Sequence, residues 1–167
     1  MDLDGENVQS YKVDTGGKRS EKPLTKQQVD AAVNYAVKLD MPREQIRYAE
    51  HYNTSYGSNF DILYLGTDTY PAKNLISASD MKTANSRISW KGAIAHEIIG
   101  HREAFLKGWT QSNKLFEEAQ ASIRAARFSS DLSEPERITL LRDAIYRLNK
   151  NGFSISAVKN LLNIKER

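Results

Sequence analysis

Two of the three histidines in this chain stand five residues apart, in His96-Glu97-Ile98-Ile99-Gly100-His101. Imidazole is the commonest side-chain metal ligand, and a carboxylate next to such a ligand can move a proton. The chain has no cysteine, so any metal must be held by His, Asp or Glu. The spacing is one residue longer than His-Glu-x-x-His, which puts two imidazoles on one helix face. At 3.6 residues per turn, positions i and i+4 differ by about 40°, but i and i+5 by about 140°. Two ligands at i,i+5 meet one ion only if the turn widens to an i→i+5 π-bulge. Gly100 lies inside that turn, where a missing side chain eases the distortion. The expectation is therefore a π-type widening between His96 and His101. The competing arrangement is an ion pair of Glu97 with His101, which are i,i+4 on a regular helix.

The helix carrying these residues reads as mostly buried. With His96 at zero on the wheel, Gly100, Ala93, Ala104, Glu97 and His101 share one arc, and isoleucines fill much of the rest. A carboxylate buried there is costly unless it is paired or acts on a metal. Catalytic zinc sites commonly use three protein ligands, and the next helix offers the third. Glu118 shares a stripe with Leu115, Ser122, Ala125 and Ala126, so it should point inward. Glu117 shares its stripe with Lys114, Gln120, Ala121 and Arg124, which reads as mostly polar, and it is expected beside the site. Gly108 lets the two helices pack as an antiparallel pair.

The pair of motifs, His96-Glu97-Ile98-Ile99-Gly100-His101 and Glu117-Glu118-Ala119-Gln120-Ala121, resembles the zinc site of dipeptidyl peptidase III. That family joins a His-Glu-Leu-Leu-Gly-His motif to a downstream Glu-Glu-Cys-Arg-Ala motif. The resemblance implies zinc bound by His96, His101 and Glu118, with Glu97 as general base and Glu117 orienting a ligand histidine. Gln120 stands where that family has Arg, and the family's substrate-holding lobe has no counterpart here, so the zinc site carries over and the dipeptide-releasing specificity does not. Residues 63–128 also resemble metallopeptidase-type domains at the C-termini of bacterial polymorphic toxins. The segments that carry this are Gly66-Thr67-Asp68, Ala84-Asn85-Ser86-Arg87, Gly92-Ala93-Ile94-Ala95-His96-Glu97 and Glu117-Glu118-Ala119-Gln120-Ala121-Ser122. It implies a toxin effector module, delivered as part of a larger protein and countered by an immunity protein.

The elements that must position these residues follow from local signals. Thr25-x-x-Gln28 is a capping box, followed by Val29, Ala32, Val33, Ala36 and Val37 at helical spacing as far as Leu39. Residues 46–52 and 60–65 read as strands around a turn-rich stretch, 53–59. Residues 66–86 read as a long surface loop. Helices are expected over about 90–107, 112–128, 133–150 and 154–164, the third opened by a second capping box, Ser133-x-x-Glu136. On that helix the charged set with Asp143 and Arg147 reads as a solvated face over Ile138, Leu141, Ile145 and Leu148. The fold class expected is α+β: a short antiparallel sheet followed by a helical half, with the metal between two helices. This is the general layout of zincin-type peptidases.

At 167 residues the chain is of single-domain size. Residues 1–23 read as a flexible arm or linker and 24–167 as the domain. Lys and Arg number 24 and Asp and Glu 21, leaving +3, too little to claim nucleic-acid binding. No apolar run approaches the roughly 20 residues of a membrane helix, and the polar N-terminus does not read as a signal peptide. A soluble protein, cytoplasmic or delivered, is expected, acting on a protein or peptide. His51 reads as a surface or packing residue, Tyr56 and Tyr64 as candidates to stabilise an oxyanion, and Arg87 as a salt-bridging surface residue. The expected chemistry is zinc-dependent amide hydrolysis with Glu97 as base. The alternatives are a non-peptide substrate and a non-catalytic helical binding module.

Overall fold

A computed structural model describes residues 18–72 and 81–167 of the chain. The first part of the arm (1–17) and residues 73–80 of the long loop lie outside the described residues. Helix α1, Lys26–Lys38, opens with the expected capping box: Thr25 Oγ1 accepts from the Gln28 N–H at 3.1 Å and Gln28 Oε1 from the Thr25 N–H at 2.9 Å. It buries Ala32, Tyr35 and Ala36.

Three short strands follow: β1 (Ile46–Tyr48), β2 (Ser55–Gly57) and β3 (Ile62–Leu65), in the order β1-β3-β2. The sheet is mixed. β2 and β3 are antiparallel with Tyr56 opposite Leu63, whereas β1 and β3 are parallel with Arg47 opposite Tyr64. The departure from an all-antiparallel sheet comes from β2, which falls in the turn-rich stretch. Ser-Tyr-Gly has no apolar alternation to announce a strand, yet it takes the hairpin position beside β3, closed through Asp61 at a positive φ of 54°. β1 is left to pair along the other edge. Leu63 and Leu65 turn into the core from the central strand.

The remainder is helical: α2 (Ala84–Arg87), α3 (Trp90–Ala95), a π-helix (His96–Arg102), α4 (Glu103–Leu106), α5 (Lys114–Phe128), α6 (Glu134–Lys150) and α7 (Ile155–Val158). Ser89 caps α3 by accepting from the Gly92 N–H at 3.0 Å. Gly108, at φ +75°, ends α4, and the Ser133–Glu136 box opens α6. The last helix is shorter than its apolar spacing suggests: after Val158 the chain proceeds in turns that still bury Leu162 and Ile164. The architecture is thus α+β with a helical half, and no helix among the described residues is long and apolar enough to cross a membrane.

Helix α5 is the central element, buried at every residue from Glu118 through Ala126. The stripe of Gln120, Ala121 and Arg124 is therefore interior, not polar surface. The Arg124 guanidinium donates to the Asn163 and Glu166 carbonyls and to Glu103, and lies 5.1 Å from each of the Trp109 and Phe128 rings. Helix α6 is also turned from the expected face. It buries Leu140, Asp143, Ala144, Arg147 and Leu148, while Ile138 is exposed. Asp143 and Arg147 belong to the interior because they pair with each other and with the site described next.

Candidate metal centre

The π-helix does what the five-residue spacing requires. Its wider turn brings the His96 and His101 rings to a centroid separation of 4.8 Å, edge to face. Gly100 serves this turn and also a close approach of two backbones. A Cβ there would stand 2.5 Å from the Ala121 carbonyl oxygen and 2.6 Å from its Cα. The π-helix and α5 therefore touch at Gly100 and Ala121, and Glu118, one turn before Ala121, lies against both histidines. Glu118 Oε1 is 3.1 Å from His96 Nε2 and Oε2 is 3.0 Å from His101 Nε2. One ligand atom from each of His96, His101 and Glu118 lies within 4.8 Å of the others, so this group could hold a metal ion.

The electrostatics are those of a tightly coupled cluster. Burial by itself would lower the His101 pKa, but the charge and hydrogen bond of Glu118, with Glu97 and Glu117 contributing, raise it to about 9. Burial would raise Glu118, but the two histidines hold its carboxyl well below the usual range. Glu97 is 6 % exposed. Its Oε1 accepts from the backbone N–H of Tyr56 on edge strand β2 at 3.0 Å, and its Oε2 is 4.0 Å from His96 Nε2. The sheet thus aims Glu97 at the cluster. The alternative pairing of Glu97 with His101 is not the one formed: His101 pairs with Glu118. Glu117 is half-buried and reaches His101 through its charge.

Behind His96 lies a group absent from the sequence reading of the site. His96 Nδ1 is 2.9 Å from Ser122 Oγ, which donates to Asp143 Oδ2 at 2.9 Å. Arg147 Nε donates to the same Asp143 oxygen at 2.9 Å, and its NH1 is 3.8 Å from Glu118 Oε1. Ser122 was legible, one turn from Glu118 on the same stripe. Asp143 and Arg147 were not, because an i,i+4 ion pair on a charged helix looks like surface.

A narrow cavity of about 20 Å³, room for a single water molecule, is lined by Arg19, Thr54, Asn85, Ala93, His96, Glu97, Glu118 and Arg147, among others. A larger one, about 220 Å³, lies against the C-terminal turns beside Trp109 and touches none of these residues. Asn85 is buried, and its Oδ1 has no hydrogen-bond partner. Arg19, within the segment read as an arm, is buried and donates to the carbonyls of Asp68, Thr69, Asn85 and Ile88 at 2.6–3.0 Å. Asp68 Oδ1 in turn accepts from the Thr54 N–H and hydroxyl. Asn85 thus lines the cavity beside the cluster, and Asp68 holds Thr54, another of its lining residues.

The remaining candidates lie elsewhere. His51 is exposed and packs on Tyr52 at 4.6 Å. The Tyr56 hydroxyl donates to Asp61 at 2.7 Å, and burial together with that bond pushes its pKa far up, so Tyr56 serves the site through its backbone N–H. Tyr64 packs edge-on against Tyr52, and Arg87 hydrogen-bonds Thr83. Comparison with protein-family models, with curated proteins and with solved structures finds no match to this chain.

Proposed function

We propose that His96, His101 and Glu118 hold a zinc ion and that the chain is a metal-dependent amide hydrolase, a metallopeptidase, with Glu97 as its general base. The observation that carries this reading is the π-turn, which brings two i,i+5 imidazoles onto one carboxylate. Zinc–nitrogen and zinc–oxygen distances near 2.0–2.1 Å place tetrahedral ligand atoms about 3.3 Å apart. The 3.0 and 3.1 Å contacts are made by the two different oxygens of Glu118. With one ligand atom from each residue, the three lie within 4.8 Å of one another, so they would draw closer to take the ion. Three protein ligands leave one position open, the pattern of catalytic rather than structural zinc.

Zinc in such a position supplies Lewis acidity, polarising a carbonyl and bringing the ionisation of water near neutral pH. The chain's own residues do the rest. Glu97, with one oxygen held by the Tyr56 N–H, keeps its second oxygen toward the cluster to take the proton of an attacking water. The same carboxyl returns that proton to the departing amine. Asn85 Oδ1, buried beside the cluster without a partner, is an acceptor that a water in the small cavity would satisfy.

The test is metal content and hydrolysis on protein without a histidine tag. One zinc per chain is expected in the parent and in Glu97→Gln, since Gln keeps the Tyr56 contact and no metal ligand is lost. Peptide-library cleavage by the variant should fall by about 10²–10⁴-fold. Equal cleavage by parent and variant would remove Glu97 as the base. A parent that takes up no zinc would leave the cluster a structural ion pair in a binding module. Zinc uptake without peptide cleavage would point to a non-peptide substrate.

A further inference from the structure

We infer that Ser122, held by Asp143 and Arg147, is a positioning residue that sets the tautomer of His96 and so determines which ring nitrogen faces the metal. The inference rests on the zinc reading above and deepens it. Its basis is a count of protons along one buried line of atoms. Asp143 Oδ2 receives two donors, the Ser122 hydroxyl and Arg147 Nε, each at 2.9 Å. A hydroxyl has one hydrogen, and that of Ser122 is spent on Asp143. Toward His96 Nδ1, 2.9 Å away, Ser122 Oγ can therefore only accept. The hydrogen of that bond belongs to Nδ1.

A neutral imidazole with its proton on Nδ1 has its lone pair on Nε2. Nε2 is the atom that faces Glu118, at 3.1 Å. The Asp143–Ser122 pair thus presents His96 to the cluster as a ligand through Nε2. The reverse tautomer would set the Nε2 hydrogen against any metal and leave two lone pairs facing each other at Ser122. Ser122 and Asp143 are fully buried and neither lines the water-sized cavity, so the bond to His96 Nδ1 is made away from water. Arg147 links the two sides, with Nε on Asp143 and NH1 near Glu118. Helix α6 thereby supports a histidine from the π-helix and a carboxylate from α5. Partners of this kind typically change metal affinity about 10–100-fold when removed.

The test uses the full chain as parent, Ser122→Ala and Ser122→Thr, with zinc affinity measured by chelator competition. Ser122→Ala should bind zinc about 10–100-fold more weakly, and Ser122→Thr, which keeps the hydroxyl, should return toward the parent. A second readout does not depend on any variant folding. In the cobalt-loaded parent, the buried His96 Nδ1–H should give a paramagnetically shifted proton resonance that persists in water, assigned by histidine-selective ¹⁵N labelling. Its absence, or a proton on Nε2, overturns the inference. So does a folded Ser122→Ala that binds zinc as tightly as the parent. In both cases the parent still binds metal and the zinc reading stands. A parent that binds neither zinc nor cobalt overturns both together.

Discussion

Glu118 is placed between two imidazoles so that each of its oxygens has one nitrogen partner. That arrangement is a competition between protons and a metal ion for the same lone pairs, since histidine must be deprotonated to ligate. For His101 the direction is clear. Its folded pKa, about 9, lies above the ordinary 6.5: burial lowers it, but Glu118 together with Glu97 and Glu117 more than offsets that. A raised pKa means that folding favours the protonated form. In protein stripped of metal, this contribution is fully present below pH 6.5 and disappears as pH rises through about 9. The melting temperature of the stripped protein should therefore fall across that window, while zinc affinity rises over it as less proton has to be displaced. Melting curves and zinc titrations at matched pH check both. A stripped protein that melts identically across the window would mean that His101 and Glu118 are not paired as described.

Among the elements, the π-helix and α5 act as one unit, joined at Gly100 and Ala121. Even the single methyl of Gly100→Ala would enter space already held by Ala121, whose carbonyl oxygen, Cα and Cβ would stand at 2.5–2.7 Å. Overpacking of this kind costs about 1–3 kcal/mol, or roughly 2–12 °C of melting temperature for a domain of this size. Gly100→Val should cost more. Because the strain separates the helix with the histidines from the helix with Glu118, zinc affinity should fall along with stability. Calorimetry and a zinc titration on Gly100→Ala measure the two together, and parent-like values for both would contradict the close approach. The need for a widened turn was legible in the sequence, since it follows from the angle between positions 96 and 101 alone. The second purpose of Gly100 was not, because it depends on a residue in another helix.

At the scale of the whole molecule, Arg19 ties the described end of the arm to the carbonyls of Asp68 and Thr69 after β3 and of Asn85 and Ile88 before α3. Burial lowers its pKa to about 10, with Asp68 and Asp143 opposing, so it remains a cation at neutral pH. Arg19→Ala would leave four carbonyls without this donor, at about 1–3 kcal/mol for each that stays buried and unsatisfied. A loss of several kcal/mol is expected, roughly 10 °C or more in melting temperature. Arg19→Lys should not restore it, because an ammonium has three donors from one point, not a planar fork of five. Thermal denaturation of the two variants decides this, and parent-like melting of Arg19→Ala would show that the arm is not anchored through this side chain.

What the sequence determined by itself is what short-range geometry controls. The capping boxes at Thr25 and Ser133, the helix stop at Gly108, the π-turn between His96 and His101 and the inward direction of Glu118 all depend on residues within a turn or two of one another. The tertiary structure decided the rest. Ser55–Gly57 is a strand because β3 offers it a partner, and β1 runs parallel to β3 because that intervening strand reverses the chain a second time. Arg19, Asp143 and Arg147 look like surface in sequence because a charge is stable in water by default. They are interior here because acceptors and donors from distant segments converge on them. Whether a charge can leave water is settled by those partners, and local periodicity carries no record of them.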